Sequence, residues 1–278
     1  MHLRSQLEKK FMKASTQGSG KEIVLPLATL FAILATLSVN VLSNFFPVRG
    51  LNIGEIANTI LQGVQITPAN YAFAIWGLIY LGLIAYGVYQ FLPAQRQNST
   101  LHRVDVLLII ACLAQIAWVY LFTLQLFWLS VIAMLAILIS LIGAYLQLEI
   151  GKRVSREFKW LVHVPFSIYL GWISVATIVN IASALYISNW DGWGISSLGW
   201  TVIMLLIGAA IASVVAIQRA DIAFTLVFVW AYVAIAVRHL SLNNPVISIT
   251  AVVAAIVLAV LLVYGTIQRK NLKVSRNE

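Results

Sequence analysis

Charge is what this sequence has least of. Only 10% of its 278 residues are Asp, Glu, Lys or Arg, while 61% are hydrophobic. An ordinary soluble domain carries about 25% charged and about 45–50% apolar residues. So little charge excludes a disordered chain, which needs charge to stay solvated. It also excludes a water-soluble globule, whose interior cannot hide that much apolar surface. Cysteine is nearly absent. Cys112 stands alone, which rules out a disulfide framework and a cysteine-ligated metal cluster. The four histidines, His2, His102, His163 and His239, show no paired metal-ligand spacing. His163 is open to two readings, an axial haem ligand or a solvated or capping histidine. A Gly-rich phosphate loop, a pair of buried carboxylates and a nucleophile–base–orienter set are all missing, so the chain reads more as a binder than as an enzyme.

Long apolar runs are what the sequence does have. A membrane-spanning helix needs about 20 mostly apolar residues, and eight segments qualify: Val24–Leu42, Asn70–Leu92, Val104–Phe122, Leu126–Leu148, Leu161–Leu185, Ser197–Ile217, Ile222–Val237 and Val246–Ile267. The stretch from Val104 to Leu148 is too long for one helix at about 1.5 Å per residue. Its most polar point, Thr123-Leu124-Gln125, is the expected turn. The seventh span is the shortest and should end at Arg238-His239, ahead of the turn-prone Asn243-Asn244-Pro245. The basic first 22 residues precede no cleavable apolar core, so the first span reads as a retained helix.

The net charge of +9 is not the footprint of a nucleic-acid binder, because the cations sit at both ends and in one middle loop. Eight spans put sixteen Lys and Arg on one side and only two, Arg49 and Arg238, on the other. Lys and Arg collect in cytoplasmic segments. Both termini are therefore expected in the cytoplasm, as basic tails over 1–22 and 269–278, and a bacterial inner membrane suits the pattern. On the opposite side Tyr186, Trp190, Trp193 and Trp200 cluster around Asn189 and Asp191, which reads as an interfacial aromatic anchor.

The spans hold almost no ionisable groups. Asp105, His163, Asp221 and Arg238 all lie near span ends, where snorkelling lowers their cost. A proton pump or ion-coupled carrier needs charge near the midplane, and a retinal Schiff base needs a Lys in a span; neither is present. The interior polarity is instead uncharged: Asn40, Asn44, Gln115, Asn180, Tyr71, Tyr80, Trp76, Trp118, Trp172 and Trp230. Amides in a bilayer must find partners and so face the bundle interior. For each residue the plain reading is interhelical hydrogen bonding or aromatic packing. Together, they also offer stacking faces and a few orienting amides to a flat, largely apolar ligand.

Three motifs add to this. Pro68-Ala69-Asn70-Tyr71-Ala72-Phe73, followed by Trp76 and Tyr80, opens the second span. Gln115-Ile116-Ala117-Trp118 with Leu121-Phe122 lies on the third, and Tyr169-Leu170-Gly171-Trp172 with Ala176 and Asn180 on the fifth. In this order the motifs resemble those of the TspO/translocator-protein family, the tryptophan-rich sensory proteins, in a long eight-span branch. The sequence departs from the family pattern at Ala69 and Tyr71, where Pro and Trp are usual, at Ile168 in place of Pro, and in a Phe73-to-Trp76 interval one residue short. The family's Lys-Pro in the first loop has no counterpart in Arg49–Thr67.

The resemblance implies a five-helix membrane core over 23–189 and three additional helices over 190–268. It implies a pocket within the core for a hydrophobic small molecule: a tetrapyrrole such as protoporphyrin or haem, or a sterol- or isoprenoid-like compound. The expected lining is Tyr71, Phe73, Trp76, Tyr80, Gln115, Trp118, Trp172 and Asn180. No protein-derived metal site or catalytic residue is expected. The first loop, with Ile53-Gly54-Glu55-Ile56-Ala57, is either a short amphipathic lid or a connector. Alternatives are an enzyme acting on a lipid-soluble pigment or quinone, a drug/metabolite-type transporter, which would need an internal repeat not visible here, and a ligand-free assembly factor. Small residues on spans six and eight, Gly208-Ala209-Ala210, Ala212, Ala251, Ala254 and Ala255, predict close helix packing on the core or a homodimer interface, in preference to a second pocket.

Overall fold

The computed structural model describes the backbone of residues 2–274 and the side chains of residues 23–268. The basic residues of 1–22 and 269–278, expected to be cytoplasmic tails, have their side chains outside the described residues. The chain is an all-helical integral membrane protein. It runs α1 (His2–Phe45), α2 (Ile53–Asn58), a 3₁₀ turn (Asn70–Ala74), α3 (Ile75–Tyr89), α4 (Ser99–Thr123) and α5 (Phe127–Gln147), then α6 (Arg156–Phe158), a π turn (Lys159–His163), α7 (Val164–Ile187), α8 (Ser197–Arg219), α9 (Ile222–Ser241) and α10 (Pro245–Val274). Among the described residues, eight helical stretches are long and apolar enough to cross a membrane, at the eight expected places.

Local chemistry sets the breaks. Gln125 takes the left-handed conformation at φ 62°, so the α4–α5 turn falls where polarity marked it. Asn98, Ser155, Ser196 and Asp221 each accept a backbone N–H at the start of the helix that follows, which satisfies donors that a helix start leaves open. Pro165 has no N–H to offer the preceding turn, and the chain ahead of α7 is wound as a π turn. The fifth span thereby reaches from Arg156 to Ile187, longer at its basic end than expected. The seventh runs past Arg238-His239 to Ser241. It continues because Arg238 Nη1 bonds Asn58 Oδ1 (3.2 Å) and the Pro68 carbonyl (3.4 Å), while the His239 ring nitrogen Nε2 meets the Gln65 carbonyl (2.6 Å).

The first five spans close a ring. α1 packs on α3 and α4, α4 on α5, α5 on α7, and α7 back on α3. α9 docks on the outside of α7, with α8 and α10 packed on α9 and on each other. Small residues permit this, as their pattern predicts. A Cβ on Gly171 would lie 3.0 Å from Val227 Cβ, and one on Gly208 would lie 2.6 Å from the Tyr232 hydroxyl. Lipid tails are as apolar as Leu, so such close approach supplies the attraction. Near the basic end Asp221 is buried and accepts hydrogen bonds from Tyr145 (3.0 Å), Ser167 (2.6 Å) and the Phe224 N–H (3.2 Å). One carboxylate thus ties α5, α7 and α9. Asp105, fully buried, accepts from Tyr86 at 2.7 Å.

Candidate functional site

At the end of the ring opposite the basic loops, a cavity of about 60 Å³ lies between α3, α4 and α7. The loop between α1 and α3 covers it. α2 forms in this loop because Asn52 and Glu55 cap each other reciprocally: the Glu55 N–H donates to Asn52 Oδ1 (3.0 Å) and the Asn52 N–H to Glu55 Oε2 (2.7 Å). Glu55, one of the loop's two charges, is spent on folding the cover. Ile53, Ala57 and Leu61 then point into the cavity, and Thr67 and Pro68 close its rim. The run thus forms a short helix over the cavity.

Five of the eight expected residues line this cavity: Phe73, Trp76, Trp118, Trp172 and Asn180. Trp172 is the centre. Phe73 and Trp76 both meet it edge-on, at 5.8 Å and 6.5 Å between ring centroids. The shortened Phe73-to-Trp76 interval has a physical reading here. Phe73 sits in the 3₁₀ turn and Trp76 in the first turn of α3, and across this junction both rings reach Trp172. Trp118 is oriented by Asn180: its indole N–H donates to Asn180 Oδ1 at 2.9 Å. Asn180 Nδ2 in turn donates to Ser130 Oγ at 3.0 Å, and the single Ser130 hydroxyl proton goes to the Phe127 carbonyl at 2.7 Å. This chain links α4, α7 and α5. Asn180 therefore positions a tryptophan; the lining polarity it offers a ligand is its remaining lone pair.

Tyr80 and Gln115 lie one helical turn deeper than Trp76 and Trp118, below the cavity. Tyr80 stacks under Trp76 at 5.7 Å and 26°. Its hydroxyl, the Asn40 Nδ2 and both polar atoms of Gln115 are buried without a hydrogen bond. Tyr71 is separated from the rest. It is 41% exposed and packs against Trp230 of α9 at 5.2 Å, on the outside of the ring. The 3₁₀ turn carries Phe73 inward and so turns Tyr71, two residues earlier, outward.

Sequence reasoning missed Val175, Val179 and Ser183, which line the cavity with Trp172 and Asn180. Their helical spacing from Trp172 along one face of α7 was the available signal. It also missed Ser130, for which no sequence signal existed. His163 is buried, lies at the far, basic end and has no place in this cavity; His102 bonds the Arg96 carbonyl at 2.7 Å. Among the described residues no three His, Cys, Asp or Glu converge as metal ligands.

The outer aromatic cluster is assembled as an interfacial anchor would be. Trp190, Trp193 and Trp200 pack within 5.1–6.1 Å of one another, and Trp193 is 77% exposed.

No curated protein and no solved structure matches the chain. A family model described as TSPO-like protein matches residues 26–264, which takes in all eight spans and so extends past the five-helix core to α8, α9 and most of α10. With a closed five-helix ring, a tryptophan-lined cavity at its covered end and a match over most of its length, this membrane protein belongs to the TSPO-like protein family.

Proposed function

We propose that the protein binds a hydrophobic small molecule in the cavity beneath α2 and senses or carries it within the membrane. Family membership supports ligand binding or sensing in broad terms. The observation that carries the finer reading is the Trp118–Asn180–Ser130 chain. It holds an indole face toward a cavity already walled by Phe73, Trp76 and Trp172. Aromatic walls with few polar groups suit a flat, apolar ligand of tetrapyrrole, sterol or isoprenoid type. The buried, unpartnered Tyr80 hydroxyl and Gln115 amide are polar groups that a deeper-reaching ligand would satisfy.

The cavity's size sets a condition. At about 60 Å³ it is smaller than the roughly 150 Å³ void that takes up benzene. A tetrapyrrole enters only if the lid moves. The lid is strapped by Arg238 and His239 at the end of α9, and by Asn58 Nδ2 donating to Asn70 Oδ1 at 2.7 Å. Opening therefore works against these hydrogen bonds and the burial of Ile56, Leu61, Val64 and Ile66, while the helical ring stays closed. The charge asymmetry favours cytoplasmic termini, which puts the lid on the outer face of the membrane, a bacterial inner membrane in our reading.

The test is titration of the purified protein with protoporphyrin IX and haem, following tryptophan quenching and the Soret band, with carotenoids, quinones and sterols next. Saturable binding that weakens in Trp118→Phe and Trp172→Phe is expected. Replacing both tryptophans with Ala while every ligand's binding stays unchanged would refute the site. A ligand whose spectrum changes with time under light or oxygen would shift the reading to an enzyme.

A further inference from the structure

A second, larger opening lies outside the ring. It is a groove of about 1170 Å³ bounded by the π turn and start of α7, by α9, and by the outer half of α3. The small residues of the last helices predict close packing in preference to a second pocket. Close packing holds between α8, α9 and α10, and α9 stays tight on α7 at its basic end through Ser167 and Asp221, so the groove lies beside that contact, on the side of α3 and the basic loop. Its size exceeds that of a typical drug-sized pocket, about 300–1000 Å³.

The groove is amphipathic along its length. Its mouth at the basic end is formed by Arg153, Lys159 and Arg219, and its walls by apolar residues such as Leu78, Ile168 and Leu226. Trp230 closes the far end, held by its indole N–H on the Ala72 carbonyl at 3.1 Å. Ile222 to Trp230 spans about 12 Å of α9 at about 1.5 Å per residue. That is close to one leaflet of a hydrocarbon core about 30 Å thick.

The charges at the mouth are left over for a partner. Among the described residues the only ion pair is Lys152 with Glu149. Asp221 also borders the groove, but its oxygens already accept from Tyr145, Ser167 and Phe224. Arg219 donates one bond, to the Ile150 carbonyl, while Arg153 and Lys159 are exposed. His163 also borders the groove, but it is 95% buried and its ring nitrogen Nε2 is closed off from the opening.

We propose that this groove holds an anionic, phosphate-headed membrane lipid. The headgroup sits against Arg153, Lys159 and Arg219, and one acyl chain lies along α9 toward Trp230. Basic pockets between transmembrane helices recognise anionic headgroups by this combination of charge and apolar slot. The inference does not depend on the ligand proposed for the cavity beneath α2.

The test uses the full-length protein in detergent, titrated with phosphatidylglycerol or phosphatidylcholine of identical acyl chains and read by native mass spectrometry. Each basic residue near an anionic headgroup is worth about fivefold in affinity, so phosphatidylglycerol should bind at least about tenfold tighter. Arg153→Gln with Lys159→Gln should reduce that ratio to about fivefold or less, the share that Arg219 keeps. The charge-keeping pair Arg153→Lys with Lys159→Arg should preserve it. Ala223→Trp, which fills the groove without touching a charge, should weaken phosphatidylglycerol binding, and millimolar inorganic phosphate should not displace the lipid. Equal retention of the two lipids, a preference undiminished in the Gln pair, or displacement by free phosphate would each overturn the proposal.

Discussion

Asn180 and Gln115 are the same kind of residue in opposite situations. Both are amides in the membrane interior, and both are buried. Asn180 is satisfied on both sides, by Trp118 and Ser130, whereas Gln115 has no partner at either polar atom. Interhelical hydrogen bonds in membranes average about 0.6 kcal/mol each. Asn180→Leu removes two of them and should lower unfolding stability by about 1 kcal/mol, measured by equilibrium unfolding in detergent or bicelles. It should also release the Trp118 ring and weaken ligand quenching. Ser130→Ala leaves the Trp118 bond in place, so its effect on ligand binding should be the smaller of the two. Equal losses in the two variants would mean that Asn180 does not act through Trp118.

At the scale of elements, one short helix closes the cavity and a more distant one bears on it without lining it. α2 covers it, and the end of α9 holds α2 down through Arg238 and His239. Arg238→Gln removes the donor to both Asn58 and Pro68. The expected outcome is faster proteolytic cleavage within residues 51–69 and faster ligand association and release, with little change in melting temperature. Stopped-flow quenching that shows unchanged rates would leave α2 as a fixed cover. The packing of α8 against α9 has its own test. Gly208→Leu would drive a side chain into the Tyr232 hydroxyl, which donates to the Leu205 carbonyl at 2.6 Å. Overpacking of this kind costs about 1–3 kcal/mol, to be read as a drop in thermal stability. Gly208→Ala should fall between that variant and the native protein.

For the molecule as a whole, the distribution of cations predicts which face meets the cytoplasm. With Cys112 replaced by Ser, a cysteine at Ala94 should react with an impermeant maleimide only after the membrane is opened. A cysteine at Leu242, which is 60% exposed, should react in intact cells. The reverse pattern would invert the topology and place the lid in the cytoplasm. The same asymmetry underlies the lipid groove, since its basic mouth lies on the side that carries most of the Lys and Arg.

The eight spans, their order and their approximate ends were legible in the sequence because the bilayer is a uniform solvent. It acts on each 20-residue stretch separately, so apolar length and the positions of Arg and Lys suffice. The turn at Gln125 was legible for the same local reason, and Trp118, Trp172 and Asn180 stood out through the motifs that resemble the TspO family's. Which group meets which was not. Nothing in the chain's order says that Asn180 binds Trp118 while Gln115 binds nothing, or that Tyr71 turns out to Trp230 while Phe73 turns in to Trp172. Nor does it say that α9 lies close enough to strap the loop at Asn58, 180 residues away in sequence from Arg238. Those choices depend on how closed helices fit against one another. Small residues at Gly171 and Gly208 permit the contacts, and the ring geometry selects them. Sequence therefore determined a membrane protein with an aromatic interior, while tertiary packing decided where that interior opens, what covers it, and that a second, charged-mouth groove exists beside it.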